Sequence, residues 1–280
     1  MKNVHLPGNM EELWPILEQE TDMRLYCGGT DLLVKMRAGE VNPLHLVCLE
    51  RIEELQGIRE DLDGLWIGAG TTHTHLLNHS LTRRCLPVLA KALETIGSPL
   101  IRNMGTIGGN ICSASPAGDT LPPLYALDAE VELRSRDTIR AMPLCEFITG
   151  PGETRLKRGE ILTGVRVENG EKYNRQHFEK IGQRRDLACA IASLAAVLQV
   201  SSSGVVQAAR LAWGSVGPMV VTSREVEEAL IGETLSLNTL QKAASLARRA
   251  VSPIDDARAS SVYRREVSGN LLLRLLQSMT

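Results

Sequence analysis

The chain has 280 residues, more than a single domain of roughly 100–200 residues needs, so two packed units are expected. Apolar residues make up 43% and aromatic residues 3%, which excludes a disordered chain and predicts a core built from Leu, Val, Ile and Ala. The formal net charge of −2 lacks the basic excess that nucleic-acid binders use to neutralise phosphates, so no nucleic-acid partner is expected.

In chain order, the opening MKNVHLPGNMEELW places Pro7, Gly8 and two acids where a secretory signal would have its apolar run, and no targeting segment is expected. A short helix is predicted over 11–19, with Pro15 in its first turn. A strand over 23–27 follows, then the break Gly28-Gly29-Thr30 and a helix over 31–37 ended by Gly39. Strands over 45–49 and 65–67 flank a small helix near Glu53. Thr71 and Thr72 can cap a helix that begins at His73, and residues 86–96 form another with Leu86, Leu89 and Leu93 on one face.

Residues 105–110 read as a second glycine-rich turn, and Asp119-Thr120-Leu121-Pro122-Pro123 as the start of a helix. A strand over 130–134 leads into an antiparallel region over 140–167. The polar break at 168–174 is the expected domain boundary. Beyond it, 178–181, 188–200 and 205–214 read as one meander. Two amphipathic helices close the chain, one carrying Leu237, Leu240, Ala244, Ala247 and Val251, the other Val267, Leu271 and Leu275. The longest apolar stretch, 187–198, spans about 12 residues against the roughly 20 that cross a bilayer, so no membrane span is expected.

The six cysteines, at 27, 48, 85, 112, 145 and 189, show no CxxC spacing, no zinc-finger pattern and no local iron–sulfur ligand set. A reducing cytoplasm is the expected location. Cys27-Gly28-Gly29-Thr30 is either a plain tight turn or a loop whose glycines let a phosphate reach backbone N–H groups. Thr106-Ile107-Gly108-Gly109-Asn110 repeats that chemistry, and two such turns can grip the two phosphates of a dinucleotide. Neither is a GxGxxG or GxxxxGK[ST] motif, so the NAD-Rossmann and P-loop readings lose their usual support. Asp119 is either a helix N-cap or a carboxylate that accepts from ribityl hydroxyls. Of His73, His75 and His79 only the last two share a helix face, and all three are expected to be exposed helix residues rather than metal ligands. No GxSxG, HExxH or paired-carboxylate motif is present, and no catalytic acid, base or nucleophile is expected.

Four stretches, CGGTDLLVKMR, RNMGTIGGNICSASPAGDTLPPLYALDAEVEL, FEKIGQRRDLACAIASLAAVL and SPIDDARASSVYRRE, run in order over nearly the whole chain. Together they resemble the FAD-binding medium subunit of the molybdenum hydroxylases, the group of xanthine dehydrogenase, aerobic carbon monoxide dehydrogenase and 4-hydroxybenzoyl-CoA reductase. The resemblance implies an α+β chain. A two-subdomain FAD-binding fold of the vanillyl-alcohol-oxidase type would occupy 1–170, its subdomains about 1–57 and 58–170. A C-terminal domain of a small antiparallel sheet plus helices would occupy 171–280.

The cofactor implied is FAD. Leu25, Tyr26, Cys27, Gly28, Gly29, Thr30, Asp31 and Leu32 match the family's first pyrophosphate loop, and Thr106, Ile107, Gly108, Gly109 and Asn110 the second. Asp119 matches the flavin-side carboxylate, and Leu162 and Lys180 match flavin-contacting positions; read without the family, Leu162 is sheet core and Lys180 a solvated strand charge. Ile96 stands where eukaryotic xanthine oxidases place a Phe beside the isoalloxazine. Arg184, Arg185 and Asp186 correspond to a loop that approaches the flavin in some members and is shorter here. Asp255, Asp256 and Arg258 with Tyr263, Arg264 and Arg265 form a family hallmark read as helix capping and pairing, with a subunit contact as the alternative.

The implied role is electron transfer between the [2Fe–2S] clusters of a small subunit and NAD or another acceptor, beside a molybdopterin-binding large subunit. The cysteine-rich insertion of the 4-hydroxybenzoyl-CoA reductase flavin subunit is missing. Two other readings are a self-sufficient flavin oxidase, for which 280 residues leave little room, and a non-enzymatic nucleotide-binding or assembly module that kept the fold but lost flavin.

Overall fold

In the computed structural model, which describes residues 3–61, 64–168, 170–184 and 187–279, the chain begins with a small parallel sheet. Its strands β1 (Asn3–His5), β2 (Met23–Tyr26) and β3 (His45–Cys48) lie in the order β1-β3-β2. Helix Met10–Gln19 covers it, started by Asn9, whose side chain accepts from the amide of Glu12 while Glu12 Oε2 accepts from the amide of Gly8. This reciprocal arrangement satisfies two otherwise unpaired donors. Pro15 lies inside this helix, beyond the first turn where the sequence predicts it. The helix survives the lost hydrogen bond because Met10, Leu13, Trp14 and Leu17 bury themselves against Val47, Ile52 and Leu55.

The second sheet comprises β4 (Ile58–Asp61), β5 (Gly64–Gly68), β6 (Glu130–Arg134), β7 (Ile139–Pro143) and, after the small hairpin of β8 (Ile148–Gly150) and β9 (Glu153–Thr154), the long β10 (Ile161–Val167). The five run antiparallel in the order β4-β5-β10-β6-β7. A bulge between Leu162 and Gly164 on β10 ties the two subdomains together, since it shifts the alternation so that Ile161 joins the core under the first sheet while Leu162, Val165 and Val167 join the core of the second. Helices Pro87–Glu94 and Leu121–Ala126 contribute Val88, Leu89, Leu93, Leu121 and Leu124 to that second core.

The C-terminal sheet is a meander of β11 (Arg175–Ile181), β12 (Ala192–Val200), β13 (Val206–Gly214) and the short β14 (Val221–Thr222). It is covered on both faces. Ala195, Val197 and Ala212 face the preceding core, whereas Leu194, Ala196, Leu198, Leu211 and Trp213 face helices Leu237–Ala250 and Ser261–Leu273. Burial on both sides explains why β12 reads as a continuous apolar run rather than an alternating one. Between β10 and β11 sits the single 3-10 turn Gly170–Lys172, at the polar break. No helix among the described residues is long and apolar enough to cross a membrane.

Several expectations are corrected. The second glycine motif is not a turn but the first turn of helix Ile107–Ser113, because Thr106 Oγ1 accepts from the amide of Gly109 and caps it. His73 is buried at 3% exposure rather than exposed. His79 ends its helix with its ring 5.7 Å from that of His75, on the shared face the spacing predicts, and accepts from the amide of Leu81 to cap the next helix. The chain also forms strand β4 and helices Pro99–Met104 and Arg224–Glu228, which the periodicity does not reveal because each is only a turn or two long.

The hallmark near the C-terminus is a structural hub. Arg264 is buried at 3% exposure and donates to the carbonyls of Ile191 and Ser215 and to Asp256 Oδ1. Asp256 Oδ1 also accepts the amides of Arg258 and Ala259. These amides and the Arg264 guanidinium hold Asp256 well below the usual carboxylate range.

Candidate functional site

A cleft of about 490 Å³ opens where the C-terminal ends of β2 and β3 meet the start of helix Ile107–Ser113, with residues 156–162 as its far wall. It brings together seven of the residues singled out from the sequence: Leu25, Tyr26, Cys27, Thr106, Gly108, Gly109 and Leu162. Two glycines make this approach possible. A Cβ on Gly28 would lie 1.6 Å from the carbonyl oxygen of Met104, and one on Gly108 would lie 2.5 Å from Ala69 Cβ. The first loop is thus pressed against the segment leading to the second motif, and the second against the end of β5.

The backbone donors of the two motifs differ. The amides of Ile107, Gly108, Gly109 and Asn110 are already engaged by Thr71 O, Ala69 O, Thr106 Oγ1 and Thr106 O. In the first loop the amides of Gly28, Gly29 and Thr30 donate to no acceptor among the described residues. Three successive free N–H groups between a strand and a helix form the concavity that anionic oxygens occupy. Asp31 lies past this loop and does not cap its helix; its carboxylate accepts from Ser113 Oγ at 2.9 Å and Lys35 Nζ at 2.8 Å, fastening the loop to helix Ile107–Ser113. Leu32 opens the helix Leu32–Arg37. Ile107 is fully buried, so only its backbone faces the motif.

A second cluster lies beyond the cleft, linked to it by Asn110, whose side-chain oxygen accepts from Thr120 Oγ1 at 2.6 Å. Asp119 is no N-cap: the helix Leu121–Ala126 has Thr120 at its cap position. Instead Asp119 Oδ2 receives Lys180 Nζ at 2.7 Å, with side-chain exposures of 11% and 6%. Lys180, on β11, is therefore buried rather than a solvated strand charge, and it donates also to Thr95 O at 2.8 Å. That bond fixes the chain just before half-buried Ile96, whose own carbonyl accepts from Arg102.

Burial pushes the Asp119 carboxyl up to about 6 even though Lys180 pulls it down. Its other oxygen, Oδ1, is buried with no hydrogen-bond partner among the described residues. An orphaned carboxylate oxygen is a standing penalty unless a donor completes it, and a ribityl hydroxyl is a donor of the right kind. Burial also raises the cleft thiols Cys27 and Cys112, to about 11 and about 12, and the Tyr26 phenol to about 12. These two thiols and the phenol are consequently uncharged at neutral pH, and the cleft offers no thiolate nucleophile. Glycine cradle, free amides and orphaned carboxylate oxygen all fit an extended dinucleotide carrying hydroxyls. Of the shortened loop, Arg185 and Asp186 lie outside the described residues.

Comparison with known proteins agrees with this geometry. Residues 1–168 match the model of the FAD binding domain in molybdopterin dehydrogenase, and residues 177–279 that of the CO dehydrogenase flavoprotein C-terminal domain. The chain is 32% identical to the nicotinate dehydrogenase FAD-subunit of Eubacterium barkeri over 265 residues, covering 93% of this chain and 90% of that protein. It is 31% identical to the xanthine dehydrogenase FAD-binding subunit of Escherichia coli O157:H7, covering 99% and 92%. A chain of the carbon monoxide dehydrogenase of Hydrogenophaga pseudoflava superposes with a TM-score of 0.93 at 31% identity, covering 99% of this chain and 96% of that one. The fold is α+β, a FAD-binding domain followed by a C-terminal sheet-and-helix domain, and the chain belongs to the family of FAD-binding subunits of the molybdenum hydroxylases.

Proposed function

We propose that this chain passes electrons between the [2Fe–2S] clusters of a small partner subunit and NAD or another acceptor, while a molybdopterin-binding large subunit acts on the substrate. The observation that carries this reading is the joint arrangement of three free amides at Gly28, Gly29 and Thr30 with the orphaned Asp119 Oδ1, at two ends of one linked site. A module that had lost its cofactor would have no reason to keep a buried carboxylate oxygen unpaired. The chain's six cysteines are free, and none belongs to a ligand-like cluster among the described residues, so electrons enter from elsewhere. Relatives named as FAD subunits or medium chains favour a place in a multi-subunit assembly. A cytoplasmic location and a domain division near 170 fit the same reading.

FAD, when bound, supplies the redox chemistry, and the protein supplies binding, orientation and electrostatics. The Gly28–Gly29–Thr30 amides would hold pyrophosphate oxygens, with Gly108 and Gly109 leaving room for them. Leu25, Tyr26, Cys27 and Leu162 would form the apolar wall of the cleft. Asp119 would accept a hydrogen bond from a ribityl hydroxyl through Oδ1 while Lys180 holds Oδ2 in place. Ile96, carried on the chain that Lys180 anchors through Thr95, would limit water access by packing rather than by aromatic stacking.

The test is anaerobic addition of NADH to the FAD-loaded chain together with its small [2Fe–2S] partner, followed by the cluster's absorbance. Cluster bleaching that requires the FAD-loaded chain supports the reading. Equal bleaching with a Gly109→Arg chain that holds no FAD would contradict it.

A further inference from the structure

The first sheet carries a cluster that the flavin site does not use. His5 ends β1 and His45 opens β3; in the parallel register Asn3 pairs with His45, so His5 lies two residues further on the same face. Their rings stack with centroids 5.4 Å apart, and His5 Nε2 lies 3.1 Å from His45 Nδ1. Glu20, the C-cap residue of helix Met10–Gln19, reaches over them: its Oε2 is 3.0 Å from His45 Nε2 and its Oε1 4.0 Å from His5 Nε2. One ligand atom from each of the three lies within 4.8 Å of the others. We propose that His5, Glu20 and His45 form a binding site for a divalent transition-metal ion of the zinc type, which pins β1, β3 and the end of the first helix together.

Chemistry and geometry agree on this assignment. Two imidazoles and one carboxylate are borderline ligands that suit zinc, whereas calcium and magnesium prefer sets made of oxygen alone. Zinc–ligand bonds of roughly 2.0–2.2 Å put tetrahedral ligand atoms about 3.3 Å apart, so with one nitrogen of His45 as ligand the three side chains close in on the ion from separations within 4.8 Å. Side-chain exposures of 26%, 28% and 16% for His5, Glu20 and His45 leave one side open for a water as fourth ligand. Without an ion the same atoms form a hydrogen-bonded chain, His5 Nε2 to His45 Nδ1 and His45 Nε2 to Glu20 Oε2. A metal ion replaces those shared protons with bonds to all three residues. Glu20 also lines the flavin cleft, so the ion would stiffen one rim of that cleft without touching the groups that bind phosphate. Sequence spacing hides the set, since its members lie 15 and 25 positions apart and only the parallel sheet brings the two histidines together.

The full-length chain, stripped with chelator, is titrated with ZnCl2 against a chromogenic chelator, and separately with CoCl2 while the visible spectrum is followed. One equivalent of zinc in the wild type is expected. Uptake should weaken at least ~10-fold in His45→Ala and Glu20→Gln. The Co2+ spectrum should show ligand-field bands without thiolate charge transfer, and zinc should raise the Tm of the wild type alone. The six free cysteines are the competing ligands. No zinc uptake, uptake unchanged in both variants, or a thiolate charge-transfer band in the Co2+ spectrum would each overturn the proposal. The Co2+ spectrum of the wild type decides the matter even if a variant fails to fold.

Discussion

Replacing Lys180 with methionine removes the cation that faces Asp119 at 2.7 Å, in a place where both side chains are nearly buried. A buried carboxylate that loses its partner costs about 3–5 kcal/mol, far more than the pair contributes relative to an apolar substitute. For a chain of this size each kcal/mol moves Tm by about 2 °C, so the variant should melt roughly 6–10 °C lower. The loss depends on pH in a defined direction. Asp119 already titrates near about 6 with Lys180 beside it, and removing the lowering influence of that lysine raises it further. A carboxyl raised in the folded state stabilises the fold below its unfolded value and loses that contribution as pH rises through the folded value. The deficit of Lys180→Met against wild type should therefore widen as pH rises above about 6. Adding Asp119→Asn should recover part of it, because the two residues act as one unit. Urea denaturation of the cofactor-free proteins at several pH values measures all of this. Strictly additive losses in the double variant, or a deficit independent of pH, would refute the argument.

The glycines separate fold from binding. Gly109→Arg should lower the flavin-to-protein absorbance ratio while leaving Tm nearly unchanged, since Gly109 is exposed on the cleft and its nearest neighbour is Thr106 Oγ1 at 3.0 Å. Gly28→Ala should destabilise the chain even without cofactor, because the methyl would meet the Met104 carbonyl at 1.6 Å. His73, whose burial and the nearby Arg102 depress it to about 4, should withdraw roughly 3 kcal/mol of stability as pH falls from its unfolded value near 6.5. His73→Gln should flatten that acid limb of a pH–stability curve. Arg264→Met should cost about 1–3 kcal/mol in denaturant unfolding, because it leaves the carbonyls of Ile191 and Ser215 without their buried donor, while Asp256 keeps Arg258 and the amides of Arg258 and Ala259 as partners.

Much of the fold is legible from local patterns that tertiary packing does not override. The strand β6 and the two closing helices follow their periodicity because each presents one apolar face to a core. The site is legible less evenly. Cys27 to Thr30 reads correctly as a loop between strand and helix, yet nothing local says that its amides stay free while those of Ile107 to Asn110 are consumed. That difference arises from Thr71 and Ala69, which reach the second motif from elsewhere in the chain. Asp119 looks like an N-cap because caps are local, and Lys180 looks like a surface charge because strands alternate. Their pairing across 61 positions exists only once β11 lies beside the turn before helix Leu121–Ala126. His73 fails for a similar reason: a capped helix start is usually solvated, but here it lies under Gly105.

The most direct test of the central claim is the visible spectrum of the purified chain after incubation with FAD, with the released flavin identified by chromatography and counted against protein. The account predicts one FAD for each chain, lost in Gly109→Arg and weakened in Lys180→Met. A folded wild-type chain that remains colourless, or that holds flavin no better than Gly109→Arg, would contradict it.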